Sequence, residues 1–391
     1  MTVLSRFYGV IWNDDLDLSC QEMFENNKKV KTPFDGLHGA KEMDVNYVVG
    51  LFSKRIPKNI EIKNTSHGDD DYREALFVDF GNEKIVIKLS SNGFTDEKHL
   101  ILWERIAKEY RSLGYYCPQY IRALDGTFPT VLYKGRNCIA WGEEFSKYRS
   151  AEEVIHDKFS DTKLVKDGWY MFLEDAMIMD AKVAACHFNY TDLPSAYCMF
   201  DVFDPSDKCD ETTEDAEKWH TIAKTLPESF SVQVDRIWNN WLEARKELEK
   251  IYHKLPTSVF QADINDTNVL LDEDGNFKGV YDFNIGGREV YINYIVRQAP
   301  YVSTAETYER LEEDDTFLKR VLHALDIAKK VYSFSDLEKK AAPLLYKCIR
   351  PLWWHASIEL KEAGTDDTKI YKHLDAIEYE QTRDIDFLSH M

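Results

Sequence analysis

Residues 258–288, SVFQADINDTNVLLDEDGNFKGVYDFNIGGR, constrain this chain more than any other stretch. A polar loop carries Asp263 and, five positions later, Asn268, ahead of the apolar run Val269, Leu270 and Leu271. The turn at residues 272–276 reverses the chain into Gly279, Val280 and Tyr281, which lead to Asp282 and Phe283. The pattern is that of two adjacent strands bringing three oxygen-bearing side chains, Asp263, Asn268 and Asp282, towards one place. The turn resembles the start of a calcium loop, but its twelfth position is Phe283, where a bidentate Glu is required.

Singly, each of the three polar residues is an ordinary turn or cap residue. Jointly, they form a set suited to phosphoryl transfer from ATP. One carboxylate orients or deprotonates an attacking hydroxyl, while an amide oxygen and a second carboxylate hold Mg2+ on the phosphates.

The sequence on either side separates into two kinds of pattern. Residues 74–89 read as two strands joined at Gly81-Asn82, and residues 95–113 as a helix with Thr95 as N-cap and Gly114 as its stop. Residues 44–56 have helical spacing ended by Pro57, and residues 130–133 and 138–141 are strand-like. From about residue 150 helical spacing dominates: 168–189, 214–226, 232–255, 303–331, 334–345 and 366–379, with residues 201–217 read as a solvated acidic loop and helix start. This order predicts an α+β chain, with a strand-rich part at 1–145 and a larger helical part at 146–391.

Charge excludes several partners. The 391 residues hold 49 Lys+Arg against 69 Asp+Glu, a formal charge of −20, so phosphate backbones and anionic membrane surfaces are repelled and neither nucleic acid nor membrane is expected as a partner. The seven cysteines form no CxxC pair and no close Cys/His metal spacing. Reduced thiols, the lack of a cleavage site after the short apolar stretch 7–12 and the lack of a long apolar run predict a soluble, cytoplasmic protein.

The segment Gln261-Ala262-Asp263-x-x-x-x-Asn268, followed by a hairpin and Asp282-Phe283-Asn284, resembles the catalytic stretch of the aminoglycoside phosphotransferase and choline kinase-like family. That family reads His-Gly-Asp-x-x-x-x-Asn and then Asp-Phe/Trp-Gly. The resemblance implies a two-lobed protein kinase-like fold, with the catalytic loop at 261–268 and the metal motif at 282–284. It also implies ATP (or GTP) and Mg2+ as cofactors and a small-molecule hydroxyl as acceptor. By the same resemblance Asp263 is the catalytic base or hydroxyl-orienting residue, and Asn268 and Asp282 are metal ligands. Lys88, in Ile85-Val86-Ile87-Lys88, is the phosphate-binding lysine, and Glu104, on the next helix, is the carboxylate that positions it. Ser66 lies in the candidate nucleotide loop 64–68, and Glu144 and Ser146 in the segment that meets adenine through its backbone.

The chain departs from the family pattern at Gln261-Ala262, at Asn284, where positive φ is expected, and in the single glycine of the loop 64–68, whose following Asp69, Asp70 and Asp71 are expected to face solvent. These departures motivate a second reading, a nucleotide-binding pseudokinase with a regulatory or interaction role. Carboxylates at Asp204, Asp207, Glu378, Glu380, Asp384 and Asp386 are candidates for a wall that binds a cationic, aminoglycoside- or amino-alcohol-like acceptor.

Overall fold

Alternating burial along residues 72–91 confirms the period-two reading: Ile85, Ile87 and Leu89 point inward while Lys84, Val86 and Lys88 do not. The computed structural model describes residues 44–68, 70–158, 165–166, 169–298 and 315–391. The stretches 7–12 and 303–314, Cys20 and Asp69 lie outside them. The chain divides into two units. One takes the described residues of Met1–Glu104, Pro118–Lys147 and Asp204–Lys208; the other takes those of Arg105–Cys117, Tyr148–Phe203 and Cys209–Met391.

The first unit opens with α1 (Val45–Phe52), capped by the Asp44 side chain, which accepts from Tyr47 N at 2.8 Å. Strands β1 (Asn59–Asn64), β2 (Tyr72–Asp79) and β3 (Lys84–Ser91) follow, then α2 (Glu97–Ser112), which belongs to the second unit from Arg105 onward, and β4 (Tyr120–Ile121), β5 (Thr130–Tyr133) and β6 (Arg136–Glu144). The sheet is antiparallel in the order β1-β2-β3-β6-β4, with β5 also on β6. Val48, Val49, Leu76, Ile87, Val131 and Cys138 belong to its core. Asp96 rather than Thr95 caps α2, accepting from His99 N, while the Thr95 N–H is held by Asn92.

The second unit holds β7 (Arg149–Ser150), α3 (Ala151–Lys158), β8 (Val165–Lys166), β9 (Trp169–Tyr170), α4 (Met171–Ala185), α5 (Glu211–Ala223) and α6 (Ser231–Tyr252). Four strands come next: β10 (Thr257–Phe260), β11 (Val269–Leu271), β12 (Phe277–Val280) and β13 (Gly287–Val290). Helices α7 (Tyr291–Gln298), α8 (Thr316–Ala328), α9 (Asp336–Ile349), α10 (Trp354–Ala363) and α11 (Asp367–Thr382) complete it. Pro351 falls between α9 and α10, where a residue without an N–H does least harm. Trp219, Trp241, Ile237, Leu360 and Leu374 are core residues shared by α5, α6, α10 and α11.

The acidic stretch 201–217 is not the solvated loop its composition predicts. Asp204, Asp210, Glu211 and Asp215 are buried. Asp210 caps α5 and pairs with Arg245, while Asp204 accepts from Ser206 N. No helix among the described residues is long and apolar enough to cross a membrane.

Candidate active site

Strands β10 and β13 pair antiparallel, as do β11 and β12, and β11 also pairs with β7. The loop 261–268 therefore leaves one short ladder and enters another, and Asp282 stands two residues beyond the end of β12. Gly279 allows this placement. A Cβ there would stand 1.8 Å from the Tyr116 carbonyl oxygen, and the Tyr116 backbone exchanges hydrogen bonds with Lys278 O and Val280 N.

Within the loop the side chains of Asp263, Asn265 and Asn268 belong to one hydrogen-bond network. The Asp263 carboxylate accepts from Asn265 Nδ2 at 2.8 Å on one oxygen and from Asn268 Nδ2 at 2.7 Å on the other. Asn268 Nδ2 also donates to the Asp263 carbonyl, so this nitrogen is spent internally and Oδ1 remains as the atom to offer a cation. Asn265 Oδ1 in turn accepts from the N–H groups of Thr267 and Asn268, which closes the turn.

Gln261 links this loop to Asp282. Its Oε1 accepts from Asp263 N at 2.7 Å, and its Nε2 donates to Tyr281 O at 3.0 Å and to Asp282 O at 2.6 Å. The side chain is fully buried and spends both ends of its amide. Two non-glycine residues here are left-handed, Ala262 at φ 70° and Asp282 at φ 58°. Such conformations cost on the order of 1–2 kcal/mol each and persist only where the surroundings enforce them. Asn284 does not take the positive φ expected of it; Asp282 does. Phe283 is buried and meets the Tyr110 ring edge-on at 5.8 Å, which anchors the segment.

The chemistry of this donor set is of the kind that magnesium takes. One carboxylate and one amide oxygen suffice for an ion that keeps most of its waters, and Asp282 stays partly exposed as such a ligand must.

In the first unit, Lys88 is half-buried and its Nζ lies 3.0 Å from Glu143 Oε1. Glu104 is engaged elsewhere, by Arg122, so the carboxylate expected from α2 is supplied by β6. Sheet register gives the reason. Val86 lies opposite Glu143, and Lys88, two residues along the same face, is its diagonal neighbour. Trp141 Nε1 donates to Glu143 Oε1 at 2.9 Å and fixes that carboxylate further.

The loop 64–68 connects β1 to β2. Ser66 is tied down, its Oγ accepting from Arg73 N at 2.9 Å and donating to Arg73 O at 3.1 Å. Asp71 does not face solvent: it is fully buried, takes Arg73 in a bidentate pair at 2.9 Å and accepts from Asn92. Glu144 ends β6 and donates its backbone N–H to Gln119 O at 2.8 Å; Ser146 follows it, half-buried.

Sequence reasoning missed Asn265, Glu143 and Tyr110. Asn265 carries a local signal, two residues after Asp263 in a turn. Glu143 shares the period-two face of Trp141. Tyr110 has no signal in sequence, because it reaches Gln261 only through the fold.

A scan against family models and a search of curated proteins returned no match. Solved structures did match. An amicoumacin kinase in complex with AMP-PNP and Ca2+ aligns over 89% of this chain and 98% of its own, at TM-score 0.53 and 14% identity. A microcompartment-associated aminopropanol kinase aligns over 86% of this chain and 94% of its own, at TM-score 0.51 and 11% identity. The chain has the fold of the small-molecule kinases that its catalytic stretch resembles. At these identities the likeness speaks for the fold, and the chemistry rests on the site.

Proposed function

We propose that this protein transfers a phosphoryl group from ATP or GTP to a hydroxyl of a small molecule. The observation that carries the reading is the Gln261 amide. It ties the Asp263 N–H to the Asp282 carbonyl, so the residue suited to orient an acceptor and the residue suited to hold a metal are fixed by one side chain. In the transfer, the acceptor oxygen forms a bond to the γ-phosphorus, the bond to the β–γ bridging oxygen breaks, and the acceptor proton passes to Asp263. Asn265 and Asn268 each donate to one Asp263 oxygen and so fix the direction of the carboxylate that would meet that hydroxyl.

Asn268 and Asp282 would hold Mg2+, which supplies charge neutralisation on the phosphates. Lys88, steadied by Glu143, contacts phosphate oxygens from the first unit. Ser66, Glu144 and Ser146 remain in this assignment as loop and backbone contacts to the nucleotide; Glu104 does not, since Arg122 holds it. Gln261 supports the enzyme over the pseudokinase reading, because the residue that replaces His keeps both hydrogen-bonding ends in use.

The acceptor to test first bears an amine, in keeping with the net charge and with the aminopropanol kinase among the neighbours. Glu378 and Glu380 are removed from the acidic wall, being held by Arg236 and Arg383. The Asp263→Ala variant should lose roughly 100-fold or more of ATP consumption across a panel of amino alcohols, aminoglycosides and sugars while keeping its fold, with a melting temperature lowered only by the loss of the Asn265 and Asn268 hydrogen bonds. Undiminished turnover would sink the assignment.

A further inference from the structure

The proposed chemistry makes no use of α7, yet one residue of that helix reaches the catalytic loop. Gln298, the last residue of α7, is fully buried, and its Nε2 donates to Ile264 O at 2.9 Å. A carbonyl oxygen only accepts, so the contact itself identifies the amide nitrogen as the end that faces the loop. One ladder starts both segments: β10 leads into the loop at Phe260, and its partner β13 leads into α7 at Val290. All eight residues of α7 are buried, so the amide is presented from a packed helix rather than from a second loop.

Ile264 directly follows Asp263, and its C=O shares a peptide plane with the Asn265 N–H. Holding that carbonyl holds the plane from which Asn265 departs. Asn265 is a residue that steadies the catalytic carboxylate. Its Nδ2 donates to Asp263 Oδ1 at 2.8 Å, while its Oδ1 accepts from Thr267 N at 3.0 Å and from Asn268 N at 3.1 Å. Other backbone atoms of the loop are held from outside at Gln261, by Tyr110 Oη, at Asp266, whose carbonyl accepts from Glu152 N, and at Asn268, whose carbonyl accepts from Tyr281 N. Gln298 acts between these points, on the peptide next to Asp263.

We infer that Gln298 is a positioning residue: by holding the Ile264 carbonyl it sets the Ile264–Asn265 peptide plane, and through Asn265 the direction in which Asp263 meets an acceptor hydroxyl. The inference rests on the phosphotransferase reading for its meaning, but part of its test does not.

Gln298→Met keeps an unbranched side chain of similar length, removes the donor and strands the Ile264 carbonyl. Val296→Ala, in the buried core of the same helix, loosens α7 with the amide in place. Both are compared with the wild type by hydrogen exchange of the peptide covering residues 262–269, with no nucleotide or acceptor present. Gln298→Met should exchange this segment about tenfold faster with β10 unchanged, while Val296→Ala stays near wild type there. With an accepted substrate, kcat of Gln298→Met should fall about tenfold at unchanged KM for the nucleotide. The Gln298→Met/Asn265→Ala double variant should lose no more than Asn265→Ala alone, because both residues act along one path.

A residue that merely packs α7 would lower the melting temperature and leave the exchange of 262–269 and the kcat of the folded enzyme alone. Unchanged exchange in Gln298→Met, the same acceleration in Val296→Ala, or additive losses in the double variant overturns the inference. Should Gln298→Met fail to fold, Gln298→Asn, whose amide is one methylene short of the carbonyl, carries the same comparison. A failure of the phosphotransferase reading shows as a wild type without turnover, and a failure of this inference as unchanged exchange, so the two are distinguishable.

Discussion

At the scale of single residues, the departure from His to Gln at position 261 is where the chemistry is decided. A His in a loop of this kind offers two ring nitrogens; Gln offers one acceptor and two donor hydrogens, and Gln261 uses all three, on Asp263 N, Tyr281 O and Asp282 O. Gln261→Leu preserves approximate volume but strands a buried N–H and two carbonyls. Each such group costs on the order of 1–3 kcal/mol, so urea unfolding should show a clear loss of stability, and turnover should fall further than the folded fraction does. A variant that unfolds like the wild type and turns over like it would mean that the left-handed turns at Ala262 and Asp282 are held by the strands alone.

Elements account for the first unit's share. The β2–β3 hairpin was legible from alternation and from Gly81-Asn82, and β3 carries Lys88 where the spacing of Ile85-Val86-Ile87-Lys88 put it. Its carboxylate was not legible. Choosing Glu104 assumed that the next helix supplies the partner, whereas the β3–β6 register brings Glu143 to Lys88 and Arg122 captures Glu104. Nucleotide-dependent thermal shift separates the two carboxylates. Lys88→Ala should abolish the stabilisation by ATP plus Mg2+, Glu143→Ala should weaken it, and Glu104→Ala should leave it intact while lowering the basal melting temperature by the small amount expected of a half-exposed ion pair. A lost ATP shift in Glu104→Ala with Glu143→Ala unaffected would restore the helix as the source of the partner.

For the molecule as a whole, the charge of −20 means something different once burial is known. A part of the acidic excess lies inside the second unit, around α5 and α7: Asp210 with Arg245, Glu211 with Arg297 at 3.6 Å, and Asp215 beside the same arginine. Burial raises the Asp215 carboxyl from the ordinary 3.8 to about 7, against the pull of Arg297. The sign of the linkage follows. Below pH 4 the group is protonated in folded and unfolded chains alike; as pH rises towards 7 the unfolded chain gives up the proton first, so Asp215 lowers stability progressively across that window. Asp215→Asn removes this slope. It should unfold at higher urea than the wild type at pH 8, by on the order of a few kcal/mol, with the advantage shrinking towards pH 5. A constant difference between the two pH values would show that Arg297 keeps the Asp215 carboxyl ionised throughout.

The sequence by itself determined what is set by short range along the chain. This covers the hairpins, most of the helices and the spacing of Asp263, Asn268 and Asp282, because turn chemistry, periodicity and a loop of a few residues are local constraints. Tertiary structure decided which polar groups meet. Asn284 gave its positive φ to Asp282, Asp71 turned inward to Arg73, and Glu143 displaced Glu104. It also placed Tyr110 under Gln261, from 151 residues away. Strand register and burial fix these partners. A side chain's own residue type says only that it needs a partner, and the fold determines which one lies within reach.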